Sequence, residues 1–291
     1  MENPESLLFS PEDSAVGYRD ILLYVGSNAA TSALIESAVN FAGEQSAHLT
    51  GLCVVEPPTI PGYAEADLPD EILERYRENN LERARRVEAE FSDACKTRGL
   101  EWAWRCMEGE AATAVLLNGR CVDLLMLAGG ARRTHTKSSE IADRVVLECG
   151  RPVLVVPAGP MPESAGSQIV LAWDGCREAV RAAHDALPLL RAADWVKVVT
   201  AVPRIRDSGR GEVPASDLCR HLARHGVKAE AHNVNVSGHG AGETLLNWSA
   251  DENANMIVMG GYGHSRWREL LLGGVTAHVL HEAQIPVLMS H

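Results

Sequence analysis

Between Met256 and Thr276 the chain sets out residues that could hold an anion. Gly260, Gly261 and Gly263 come first, then Gly273 and Gly274, with Arg266 and Arg268 between the two groups and the Thr276 hydroxyl just after them. Glycines let a backbone approach a ligand closely and adopt φ > 0. The apolar run at 256–259 has strand character, and 275–282 has helical apolar spacing. A helix in that place points unpaired N–H groups and the positive end of its dipole at the glycines. Strand, glycine turn, loop, glycine pair and helix together make a phosphate cradle. The bland alternative is a glycine turn that serves only close strand-to-helix packing. Arg266 and Arg268 would neutralise phosphate, or else lie on a solvated loop.

Other reactive residue types are less suggestive. His221 and His225 stand at i,i+4, a spacing that can hold a metal, and His278 and His281 are similarly close. Neither pair has a third ligand near it in sequence, so no metal is expected. Ser265 and Ser290 lie in no G-x-S-x-G elbow, and no cysteine sits in a nucleophile motif. No catalytic residue is assigned.

The positioning elements follow one plan twice. In the first half strands are expected at 21–25, 49–55, 100–106, 123–127 and 152–156, with helices at 29–44, 70–98, 110–118 and 138–149. In the second half strands are expected at 168–173, 195–202, 228–236, 256–259 and 285–289, with helices at 177–190, 215–225, 242–250 and 275–282. The closing segments 149–155 and 283–289 align by eye around Pro-Val-Leu. Strands alternating with helices imply right-handed crossovers and mostly parallel sheets covered on both faces. The fold class is therefore α/β: two tandem open parallel five-stranded sheets, Rossmann-like, with helices on both faces. The expected divisions are a polar leader at 1–17, a domain at 18–158, a linker at 159–167 and a domain at 168–291. Ligands in such sheets sit beyond the carboxyl ends of the strands, where strand order reverses. In the second half that brings Trp173, Asp174 and Gly175 toward the turn at 260–263.

Composition narrows the function classes. The 291 residues are 46% hydrophobic and 23% charged, as in globular proteins. A formal net charge of −12 disfavours nucleic-acid and anionic-membrane partners. No apolar run reaches the roughly 18 residues of a spanning helix, and the acidic start is unlike a secretory signal. Seven scattered cysteines without a C-x-x-C pair suggest a reducing, cytoplasmic setting.

The second half resembles the universal stress protein family, whose nucleotide-binding members carry G-x-x-G, nine residues, then G-[S/T]. Here Gly260-Gly261-Tyr262-Gly263 is followed by nine residues and then Gly273-Gly274, and Asp174 matches the family's acidic position. The resemblance implies an ATP-type nucleotide site, with or without Mg²⁺. Asp174 would meet the adenosine, beside Trp173, and Ala172 and Ala201 would line the base. Gly260 and Gly263 would admit ribose and phosphates, while Gly273, Gly274, Val275 and Thr276 would cradle phosphate, the Thr276 hydroxyl donating. Gly274 replaces the family's Ser or Thr, which removes a hydroxyl contact worth on the order of 1 kcal/mol. In the first half Gly26 replaces the acidic residue and Ala128-Gly129-Gly130-Ala131 replaces G-x-x-G. That half is expected to be a degenerate copy without nucleotide.

The resulting expectation is a non-catalytic stress-response regulator that answers ATP by conformational or oligomeric change and is read by a protein partner. Its halves would pair through 152–156 and 286–289 as an intramolecular pseudo-dimer, and two chains would form a homodimer. The alternatives are a slow ATPase or nucleotidyl transferase on the same fold, and a nucleotide-free interaction scaffold.

Overall fold

The computed structural model describes residues 17–26, 31–58, 69–129, 137–202, 215–236, 240–263 and 274–291. The first half runs β1 (Asp20–Val25), α1 (Thr31–Gln45), β2 (His48–Val55), α2 (Asp70–Arg98), β3 (Trp102–Glu108), α3 (Ala111–Gly119), β4 (Leu124–Ala128), α4 (Lys137–Glu148) and β5 (Val153–Val156). The second runs β6 (Gln168–Ala172), α5 (Arg177–Asp185), α6 (Leu187–Ala192), β7 (Trp195–Val202), α7 (Ala215–Arg224), β8 (Ala229–Asn235), α8 (Ala241–Asp251), β9 (Met256–Gly260), α9 (Gly274–Glu282) and β10 (Val287–Ser290).

The strands form one sheet in the order β3-β2-β1-β4-β5-β10-β9-β6-β7-β8. Within each half all pairings are parallel. The halves meet at the centre, where β10 runs antiparallel to β5 with Leu288 opposite Leu154. The two five-stranded units expected from the sequence are thus present and joined along one seam into a continuous ten-stranded sheet. Strand order reverses between β1 and β4, and again between β6 and β9.

Side-chain alternation explains how the sheet is covered. Ile21, Leu23, Leu154, Ile169, Leu171 and Leu288 belong to one buried cluster, and Leu22, Leu125, Val153, Val170, Ile257 and Val287 to another. Successive residues of a strand point to opposite faces, so these clusters are the two faces of the sheet. Each contains residues of both halves. The inner strands read as unbroken apolar runs because both faces are covered. The outer strands β3 and β8 have no fully buried residue, and about half of their positions are exposed.

Several element boundaries differ from the sequence reading by one or two residues, and two of the differences have clear local reasons. The helix expected at 177–190 is two helices, because Pro188 sits in the first turn of α6. Proline lacks the N–H an interior position must donate and is tolerated only at a helix start. The strand expected from 100 begins at Trp102. Gly99 takes a left-handed φ of 70° as the α2 cap, and Leu100 donates its N–H to Cys95 O. Leu100 therefore closes the helix rather than opening the strand.

Candidate functional site

The second reversal point, between β6 and β9, opens into a cavity of about 240 Å³. Three elements shape its mouth. At the end of β6, Trp173 donates its N–H to Val199 O on the neighbouring strand, 2.8 Å away. Asp174 Oδ1 then accepts from Cys176 N at 3.0 Å. That turn, with Gly175 at φ 74°, starts α5. Cys176 caps the helix, its Sγ accepting from Ala179 N. At the end of β9 the chain turns through Gly260 to Gly263, and Gly261 N donates to Ser290 O. Beyond 264–273, α9 begins at Gly274, so its N-terminal N–H groups lie beside the cavity.

The wall is mostly apolar, from Ala172, Val199, Ala201, Val234, Leu245 and Met259, with Asp174, Cys176, Thr244 and Thr276 as polar groups. An apolar hollow with a few convergent polar groups is the usual composition of a small-molecule site. Burial, and then the hydrogen-bonded Asp174, push the Cys176 thiol up to about 12. At neutral pH it stays protonated and is a poor nucleophile.

The glycines turn out to have different duties. A Cβ at Gly260 would lie 2.6 Å from Ala179 N and 2.7 Å from Glu178 C. At Gly263 it would lie 2.9 Å from both Cys176 Sγ and Glu178 Oε2. These two glycines let the turn press against the first turn of α5. At Gly274 an added Cβ would meet no described residue within 4 Å, so packing among the described residues does not demand glycine there. The buried Thr276 hydroxyl accepts from Tyr262 N at 3.1 Å. It thereby holds a residue with positive φ of 54° and keeps its own proton for donation.

A model of the universal stress protein family matches residues 17–157 and again residues 167–291. The chain belongs to the universal stress protein family. A universal stress protein of Synechocystis sp. is 25% identical over 146 residues, a stretch covering 50% of this chain and 49% of that one. The match thus spans about half the length of that relative. One from Mycobacterium tuberculosis is 24% identical over 143 residues, covering 44% of this chain and 98% of its own. Among solved structures, a universal stress protein from Archaeoglobus fulgidus DSM 4304 shares the fold with a TM-score of 0.73 at 16% identity, covering 93% of this chain and 95% of that one.

Of the residues named from the sequence of this universal stress protein, Ala172, Trp173, Asp174, Ala201, Gly260, Gly263, Val275 and Thr276 line the same cavity. Gly274 starts α9 next to that wall without lining it. Gly273, Arg266 and Arg268 lie outside the described residues. The sequence reading missed Cys176, Thr244, Leu245 and Val234. Ala241, Thr244 and Leu245 stand at i, i+3 and i+4 on α8, a one-face spacing that could have found them.

The glycine turn of this universal stress protein also grips the other half. Tyr262 Oη donates to Asp143 Oδ1 on α4 at 2.7 Å, and a Cβ at Gly261 would strike Val146 Cγ1 of α4 at 2.7 Å. Burial, then the hydrogen bond to Asp143 and its charge, hold the Tyr262 phenol well above its ordinary range, so it remains a donor. Tyr262→Phe is expected to destabilise the chain by about 1.5 kcal/mol, the lower end for a hydrogen bond to a charged group. Urea unfolding of the two proteins measures this.

Proposed function

We propose that the second half binds an ATP-type nucleotide in the cavity between β6 and β9, and that the protein is a non-catalytic regulator. The supporting observation is the meeting of Asp174, the bare main chain at Gly260 and Gly263, and the N-terminus of α9 around one hollow at the strand-order reversal. Base and ribose would occupy the apolar wall by Ala172, Ala201 and Asp174. The phosphates would lie toward α9, whose dipole favours anions, near Val275 and the Thr276 hydroxyl. Any Mg²⁺ would arrive with the phosphates. The neutral Cys176 thiol supports binding over covalent chemistry.

Regulation would follow if two states of the chain, or of a homodimer, differ in affinity for the nucleotide, since a ligand shifts an equilibrium only by that difference. The tie from Tyr262 to Asp143 gives the turn a route to the first half, and a protein partner would read the result. Isothermal titration with ATP tests the binding. Asp174→Ala is expected to weaken it about tenfold or more, equivalent to at least about 1.4 kcal/mol. Asp174→Asn keeps an acceptor for Cys176 N and separates loss of charge from loss of the turn. If ATP fails to bind the unmodified protein, or binds Asp174→Ala equally well, the proposal fails.

A further inference from the structure

On the far side of α5 from the cavity mouth, three histidines come together. His184 is in the last turn of α5, His221 in the last turn of α7, and His225 just beyond α7. The ring centres of His184 and His221 are 5.1 Å apart, those of His221 and His225 4.8 Å, and those of His184 and His225 6.5 Å. The placement follows from packing. Ala179, Ala182 and Ala183 of α5, and Ala215, Leu218 and Leu222 of α7, bury against one core cluster. His184, His221 and His225 flank those stripes and are left facing one another at the rim.

We propose that His184, His221 and His225 form a binding site for one divalent late transition-metal ion, such as Zn²⁺, Cu²⁺ or Ni²⁺. Two imidazoles bound tetrahedrally to one zinc, with Zn–N about 2.0–2.1 Å, have ring centres roughly 5 Å apart. Two of the three separations here are close to that, and the third exceeds it by an amount that a side-chain rotation closes. As placed, the ring nitrogens do not converge, and no ready-made cluster of three or more metal-binding groups exists among the described residues. The rings must turn, and they are placed to do so: His184 is exposed, and His221 and His225 are partly so. His221 Nε2 is buried with no hydrogen-bond partner among the described residues. An orphaned imidazole nitrogen beside two other imidazoles is a donor set that suits zinc, copper and nickel.

Electrostatics cut both ways. Desolvation first, then His184, His225 and Arg224, hold the His221 pKa below its ordinary value, which keeps the lone pair that a metal needs. Against this, Arg224 and Arg191 place positive charge nearby. Arg191 Nη2 lies 3.4 Å from His225 Nδ1 and Arg191 Nε donates to His225 O. The longer of these contacts must be given up, or the ring turned, for His225 to bind metal. Asp185, next to His184, is paired with Arg181.

The test uses the full chain without an affinity tag, so that its own histidines are the only ones present. Zn²⁺ competition against a chromophoric chelator is expected to show one tight equivalent per chain. Each of His184→Ala, His221→Ala and His225→Ala should weaken that equivalent about tenfold or more, since losing even a residue that only orients a ligand costs about tenfold to a hundredfold. Affinity should fall in acid, because protons compete with the metal for the imidazole lone pairs. Cu²⁺ electron paramagnetic resonance on the unmodified protein is expected to show coupling to three nitrogens, which tests the site without relying on any variant. Coupling to fewer nitrogens, a His184→Ala chain that binds zinc as tightly as its parent, or binding unaffected by all three substitutions would overturn the proposal.

Discussion

Replacing Gly260 by alanine is expected to lower the stability of the ligand-free protein by about 3 kcal/mol, the upper end for overpacking a tight interior. The new Cβ would lie 2.6 Å from Ala179 N, 2.7 Å from Glu178 C and 2.9 Å from Glu178 Cβ. Two of these are main-chain atoms in the first turn of α5, and no side-chain rotation moves them aside. Glu178 is itself held: its side chain is 2% exposed and its carboxylate pairs with Arg177. The strain must push α5 away from β9. That displacement carries Cys176 and Asp174 with it, so the proposed nucleotide binding should fall together with stability. Gly274→Ala is the contrast, since no described residue lies within 4 Å of an added Cβ there. It should leave stability unchanged or raise it slightly, by up to about 1 kcal/mol for alanine over glycine in a helix. Urea unfolding followed by circular dichroism measures both. A Gly260→Ala chain as stable as its parent would mean that this glycine serves a ligand and not the helix.

Leu288→Ala at the central seam should cost about 2–5 kcal/mol, the range for truncating a buried leucine. Leu288 faces Leu154 across the antiparallel β5–β10 pair, both are 0% exposed, and both belong to the same core cluster. Because they touch one environment, the double alanine variant should depart from additivity by about 0.5–3 kcal/mol. The seam also predicts how the chain melts. Both core clusters run through it, so the two halves should unfold in one cooperative transition in guanidinium. Two separated transitions, with the second half indifferent to Leu154→Ala, would contradict a continuous core.

The architecture was legible in the sequence because burial leaves a local record. Strands covered on both faces, such as Ile21 to Val25, must be apolar at every position, and amphipathic helices between them leave only a parallel sheet as the way to bury both patterns. The glycine spacing and Asp174 pointed to one end of β6 and β9 for the same reason: tight turns need particular residues at particular places. What the sequence could not convey was any distance between segments far apart in the chain. It showed His221 and His225 one helical turn apart, but the third imidazole, His184, comes from another helix and arrives only when α5 and α7 pack on a common core. It showed glycines at 260 and 263, but which of them yields to a helix backbone depended on how closely α5 lies against β9. Local pattern thus determined the elements and their order. The pairing of the halves through 152–156 and 286–289 was expected from the sequence, but the antiparallel register of that seam, the closure of the cavity wall by Thr244 and Leu245, and the reach of Tyr262 to Asp143 were decided by tertiary packing, since each depends on contacts between residues that no period in the chain relates.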